Sequence, residues 1–119
     1  MGSVTNNFED GKGLIRFDEN GISMIGEVDS IKSGIFLKNF FADIFLFIEN
    51  DASIIFNITK LQFINSVGIK ALVEWISLLK IKKPLIKVTF IYNKNISWQE
   101  PCVKPLFILS PNSVSIKAE

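Results

Sequence analysis

Residues 53–58, SIIFNI, form a short and nearly continuous apolar run, and a segment with helical periodicity lies on either side of it. A strand of this composition is typical of the centre of a parallel sheet that is covered on both faces. Parallel neighbours require crossover connections, which are usually helices. The run and its flanks therefore predict an α/β fold.

The rest of the chain supplies the other elements. The pattern predicts, in chain order, strands at 14–17 and 22–28, a helix over 31–48, the strand at 53–58, a connector at 59–63, a helix over 69–80, a strand at 87–92, a short or broken helix within 98–107 and a strand at 113–117. The first two strands form an antiparallel hairpin, because Asn20-Gly21 is a strong turn signal. Later alternation of strand and helix favours right-handed parallel crossovers. The expected sheet is mixed and mostly parallel, with helices packed on it.

Finer details follow from the same pattern. Asp29 and Ser30 offer N-cap oxygens to the first helix. The second helix has a predicted buried stripe of Leu72, Val73, Ile76 and Leu79. The polar residues 1–12 are expected to be a flexible arm, and residues 13–119 to be a single domain, since 119 residues hold one good core.

Composition excludes several classes of function. The net charge is +1, and no nucleic-acid-binding signature occurs, so a nucleic-acid partner is not expected. The chain has no histidine, which removes the commonest general base and every histidine-containing metal site. Neither a membrane span nor a signal peptide is expected. The single cysteine, Cys102, fits a reducing compartment, and a cytoplasmic location is predicted.

Two short motifs stand at the ends of predicted strands. Residues 65–69 read Asn-Ser-Val-Gly-Ile and lead into the second helix, and residues 26–29 read Gly-Glu-Val-Asp before the first. Together they resemble the STAS domain, in which Asp-Ser-Ser-Gly and an apolar residue open a helix and Gly-Glu-apolar-Asp ends an earlier strand. The resemblance covers about residues 14–92. Asn65 replaces the family's aspartate, and Val67 replaces its second serine.

The STAS family includes the bacterial anti-sigma factor antagonists and the cytoplasmic tails of sulfate transporters. The resemblance implies a non-enzymatic regulatory module that switches partners when Ser66, the phosphoacceptor, is phosphorylated by a serine kinase that is itself the anti-sigma factor. It implies a partner-binding surface comprising Asp29, Asn65, Ser66, Val67, Gly68 and Ile69. It implies no cofactor and no metal for this chain.

The chemistry of the second motif supports such a switch. A helix N-terminus offers unpaired amide hydrogens and a positive dipole end, which can accommodate a phosphate. The same phosphate adds nearly two negative charges, which would expel a bound protein. A simpler interpretation is that Asn65 or Ser66 is an N-cap, and that Asp29 is one as well.

Two other functions remain open from the sequence. One is an adaptor in which Ser66 is never modified and the chain pairs with itself, as a homodimer, or joins a larger signalling assembly. The other is an enzyme. Ser66 and Lys70 have the spacing of a serine–lysine pair, but the chain lacks the Gly-x-Ser-x-Gly elbow and a candidate oxyanion loop. A non-enzyme is therefore predicted.

Overall fold

The computed structural model describes residues 4–7 and 12–119. Within these residues the chain forms seven strands and three helices: β1 (Val4–Asn7), β2 (Gly13–Asp18), β3 (Gly21–Val28), α1 (Ser33–Phe45), β4 (Ser53–Asn57), β5 (Leu61–Ile64), α2 (Ser66–Lys82), β6 (Lys87–Tyr92), α3 (Gln99–Leu109) and β7 (Val114–Ala118). The α/β fold class and the element order expected from the sequence are confirmed, with two additional strands.

The strands form one mixed sheet in the order β1-β2-β3-β4-β6-β7, with β5 paired to β3 beyond the end of β4. The pairs β1–β2 and β2–β3 are antiparallel, whereas β3–β4, β3–β5, β4–β6 and β6–β7 are parallel. The predicted antiparallel hairpin is therefore present, and the strands that follow the helices are parallel to their neighbours, as crossover connections require.

The core lies between the sheet and the helices. Alternate strand residues such as Phe56 and Phe90 are fully buried, and their rings stack with centroids 4.8 Å apart. Strand β4 is central, as predicted, but it is covered on one face only, because Ile55 on its other face is 41% exposed. A continuous apolar run does not distinguish a strand buried on one face from a strand buried on both.

Two predictions about irregular segments are wrong. Val4–Asn7, placed by the sequence in a flexible arm, pairs with β2 as an edge strand; the remainder of that arm lies outside the described residues apart from Lys12. The predicted connector at 59–63 contains most of β5, which pairs with Gly26–Val28 of β3. Both strands are only four residues long, so local periodicity carries little signal.

The helices also differ in detail from the prediction. Helix α1 is shorter than expected: Ile31 precedes it and is 90% exposed. In α2 the buried stripe includes Trp75 but excludes Val73, which is 36% exposed. Helix α3 is continuous over Gln99–Leu109 although it contains Pro105. Strands β6 and β7 lie where the sequence places them, within one residue.

Candidate functional site

The two sequence motifs meet at the edge of the sheet formed by the carboxyl ends of its parallel strands, where β3 and β5 end side by side. Val28 is paired with Ile64, and the next residues along the chain are Asp29 and Asn65. The Asn65 backbone N–H donates to the Val28 carbonyl oxygen at 2.8 Å, which extends the pairing by one step. The fold therefore brings together motifs that are far apart in sequence, at the edge where ligands of α/β proteins commonly bind.

Asn65 is the N-cap of α2. Its Oδ1 accepts a hydrogen bond from the Gly68 backbone N–H at 2.9 Å, and its Nδ2 donates to the Ser30 carbonyl oxygen at 2.9 Å. The Asn65 side chain thus caps the start of α2 and also connects it by a hydrogen bond to the segment that precedes α1. The capping interpretation is confirmed for Asn65 and is wrong for Ser66, which is the first helical residue.

Ser66 is an exposed residue. The backbone amide hydrogens of Ser66 and Val67 have no acceptor among the described residues. The first amide of α2 to donate to a backbone carbonyl is that of Ile69, which bonds the Asn65 carbonyl oxygen, and the Gly68 amide donates to the Asn65 side chain. Unpaired amides of this kind and the helix dipole make the surroundings of Ser66 electropositive. Lys70, one turn further along α2, is exposed as well.

Gly68 allows the start of α2 to lie close to the strand ends. A Cβ atom at this position would be 2.8 Å from Cγ1 of Ile64 and 3.2 Å from Cγ1 of Val28. Gly68 is itself buried, so it positions Ser66 but offers no direct contact to an incoming protein. Ile69 is partly buried and packs against the core, whereas Val67 is 39% exposed.

Asp29 does not cap α1, so that prediction is wrong. The N-cap of α1 is Lys32, and its side chain makes no capping hydrogen bond within the described residues. The carboxylate of Asp29 forms an ion pair with Lys12, with 3.6 Å between Oδ2 and Nζ. Ser30 Oγ instead accepts from the Lys32 backbone N–H at 3.1 Å. Asp29 lies beside the Asn65 cap but is only partly exposed.

Helix α1 approaches the site closely. A Cβ atom on Gly34 would be 3.3 Å from both Cβ and the carbonyl oxygen of Val67, so the first turns of α1 and α2 are in contact. Sequence reasoning did not identify Gly34, since a lone glycine within a helical pattern gives no indication of which neighbour it faces.

No group of three or more metal-ligating side chains occurs within residues 4–7 and 12–119. The thiol of Cys102 lies in α3 and is partly buried. No helix in the described part of the chain is long and apolar enough to cross a bilayer.

Burial raises the pKa of the Cys102 thiol to about 11. The folded protein therefore holds this proton more tightly than the unfolded chain, and the resulting stabilisation is present below the ordinary thiol pKa and is lost as the pH rises towards 11. At pH 8 we expect iodoacetamide to alkylate Cys102 about 100-fold more slowly in the native protein than in denaturant. Equal rates in the two states, measured by intact mass, would contradict this expectation.

Comparison with known proteins supports the fold. SiaC of Pseudomonas aeruginosa aligns with a TM-score of 0.73 and 15% sequence identity over 100% of both chains. A chain from the crystal structure of the diguanylate cyclase SiaD in complex with its activator SiaC, also from Pseudomonas aeruginosa, aligns with a TM-score of 0.73 and 15% identity over 98% of this chain and 99% of that one. No protein-family description and no curated protein matches the sequence significantly. The chain therefore has the α/β fold found in SiaC.

Proposed function

We propose that this chain is a non-enzymatic regulatory module that binds a protein partner at the edge formed by Asp29 and residues 65–69, and that phosphorylation of Ser66 releases the partner. The observation that supports this most directly is the exposure of the hydroxyl-bearing residue Ser66 at the first position of α2, next to two backbone amides that no acceptor occupies among the described residues. A kinase can reach such a hydroxyl without unfolding the domain.

The effect of a phosphate follows from its position. The group would sit at the positive end of α2, where the amides of Ser66 and Val67 and the exposed Lys70 favour negative charge. The folded chain would therefore tolerate the modification. A partner that covers Ser66 and the apolar Val67 would instead have to desolvate nearly two negative charges, and its affinity would fall.

The likeness to SiaC indicates which partners to test first. SiaC is described as the activator of the diguanylate cyclase SiaD. We propose that this chain likewise regulates a signalling enzyme, and that a serine kinase able to modify Ser66, with or without anti-sigma activity, is the second partner. At 15% identity these partners are candidates chosen by fold alone.

The Ser66→Asp variant tests both parts of the proposal. We expect it to raise the free energy of unfolding by about 0.5 kcal/mol, because a carboxylate at the helix start interacts favourably with the dipole. We expect its affinity for the partner recovered with the wild-type chain to fall at least tenfold, about 1.4 kcal/mol. Urea denaturation measures the first effect, and titration of the purified partner measures the second.

The Ser66→Ala variant is the matched control. It removes the hydroxyl without adding charge, and the Asn65 cap remains intact, so partner binding should persist while incubation with the kinase and ATP no longer adds mass. If Ser66→Asp binds the partner as tightly as the wild type, the switch is wrong. The chain would then act as an adaptor whose binding does not depend on Ser66.

A further inference from the structure

Helices α1 and α2 lie side by side and run in the same direction. Near their starts Gly34 lies against Val67, and further along the ring of Phe41 stacks on that of Trp75 with centroids 4.5 Å apart. At their ends Nζ of Lys83, just past α2, donates to the Phe45 carbonyl oxygen at 2.6 Å. These contacts fix which residues of the two helices stand level with each other.

A groove of about 260 Å³ runs between the two helices; it is lined by Lys38, Phe41, Ala42, Ala71, Glu74, Trp75 and Leu78. The lining is mostly apolar, and alanines rather than large side chains line part of each wall. Soluble proteins rarely leave connected apolar surface of this kind uncovered unless it binds something.

Each wall of the groove carries a stripe at helical spacing. The α1 stripe consists of Ile35, Lys38 and Ala42 together with Leu46, the C-cap residue that follows the helix, and the α2 stripe consists of Val67, Ala71, Glu74 and Leu78. Each stripe has an exposed aliphatic residue at both ends, at least one alanine and one charge, and the two charges are opposite. The exposed fractions of Ile35 and Leu46 are 66% and 84%, and those of Val67 and Leu78 are 39% and 40%.

The two stripes match each other in height. Since Gly34 lies beside Val67 and Phe41 lies beside Trp75, each α1 residue is level with the α2 residue 33 or 34 positions later in the chain. Ile35 therefore lies within two residues of the height of Val67, and Leu46 lies within two residues of the height of Leu78. Lys38 and Glu74 are separated by about one helical turn along the groove, a distance that two long side chains can bridge. Within the described part of the chain they do not form an ion pair with each other.

From this pattern we infer that the α1–α2 face is a docking surface for a second copy of this chain. A two-fold axis parallel to the groove places α1 of one copy over α2 of the other. Such an axis keeps each residue at its own height, so each Lys38 lies two to three residues along the groove from the Glu74 of the other copy, within reach of the two long side chains. The aliphatic ends of the stripes lie opposite each other to within two residues. This is the self-complementarity that a two-fold interface requires, because every contact occurs twice.

The expected dimer is weak and reversible. Because only two helices contribute, we expect the interface to bury less than the roughly 800 Å² per partner of a standard interface, and we expect a dissociation constant on the order of 100 µM. Val67 belongs both to this face and to the surface around Ser66. Pairing of two copies would therefore compete with the partner proposed above, although the inference does not rest on that partner.

Sedimentation equilibrium of the purified chain tests the inference directly. We expect wild type to shift from monomer to dimer between about 10 µM and 1 mM. Leu78→Lys, which puts a charge into the groove wall, should weaken dimerisation at least tenfold. Ile108→Lys is the matched control, since Ile108 is 67% exposed on α3, away from the groove. It should dimerise like the wild type.

A charge exchange provides a second test that does not threaten folding, because Lys38 and Glu74 are both exposed. Lys38→Glu and Glu74→Lys should each weaken dimerisation several-fold, because each places like charges opposite one another twice. The double variant restores opposite charges and should recover most of the wild-type association. A chain that stays monomeric at 1 mM, a dimer that Leu78→Lys leaves unchanged, or a double variant no stronger than the single ones would overturn the inference.

Discussion

We expect the Gly26→Ala variant to lower the free energy of unfolding by about 4 kcal/mol, which is a large part of the stability of an ordinary domain. Gly26 has a φ of +86°, in the left-handed region that alanine enters only with strain. A Cβ atom there would also be 2.1 Å from the Lys12 carbonyl oxygen, so the backbone would have to move. Strain and overlap act together, and the two effects add.

The location of Gly26 connects this loss to the candidate site. The register of β3 against β5 shifts between Gly26 and Glu27, where the Gly26 N–H donates to Lys60 O and the Glu27 N–H donates to Lys12 O. The residues beyond this irregularity, Val28 and Asp29, lead directly to the Asn65 cap. Urea denaturation followed by circular dichroism measures the change. Ser23→Ala, in the same strand, is the control and should change the stability by less than about 1 kcal/mol.

The sequence predicted the parts of this fold that have strong local signals. The hairpin turns at Glu19 and Asn20, just before Gly21, and α2 has its periodic apolar face. In β6, Val88, Phe90 and Tyr92 alternate as expected for a strand with one buried face. Weak local signals accounted for the errors. Strand β5 forms because Leu61–Ile64 pairs with the end of β3. This is a tertiary contact, and the four residues of β5 give no local sign of it.

The candidate site was also predictable in part. The resemblance placed Ser66 at a helix start, and the structure places it there. The roles of its neighbours depended on long-range contacts. Asn65 caps α2 and at the same time binds the Ser30 carbonyl oxygen, and Gly68 is buried against Ile64. Asp29 was expected to cap α1, but it pairs with Lys12 across the sheet edge. Such assignments require knowing which strand ends lie side by side.

Gln99 presents the most consequential polar group that sequence reasoning missed. It is fully buried at the start of α3, and all of its side-chain hydrogen bonds go to the backbone. Nε2 donates to the carbonyl oxygens of Ile58 and Leu61, at 2.8 Å and 2.9 Å, and Oε1 accepts from the Asn93 N–H at 2.7 Å. It therefore holds together the loop where β4 gives way to β5 and the loop that follows β6.

We expect Gln99→Leu to lower the free energy of unfolding by about 4 kcal/mol. Leucine has a similar volume, but it leaves one amide hydrogen and one or two carbonyl oxygens buried without partners, and each unsatisfied group costs about 1–3 kcal/mol. Gln99→Glu should be destabilising as well, because a carboxylate can accept from Asn93 but cannot donate to Ile58 or Leu61. The midpoint of urea denaturation measures both variants.

Gln62→Leu is the matched control, because the same substitution is made at an exposed position of β5, next to one of the carbonyls that Gln99 binds. It should change the stability by less than about 0.5 kcal/mol. If Gln99→Leu were no more destabilising than Gln62→Leu, the three hydrogen bonds would contribute little, and the placement of β5 would rest on its pairing with β3 alone. A large loss of stability in Gln99→Leu, with little change in Gln62→Leu, would instead show that a single buried amide holds β5 in place. The position of Ser66, which follows β5, would then depend on the same amide.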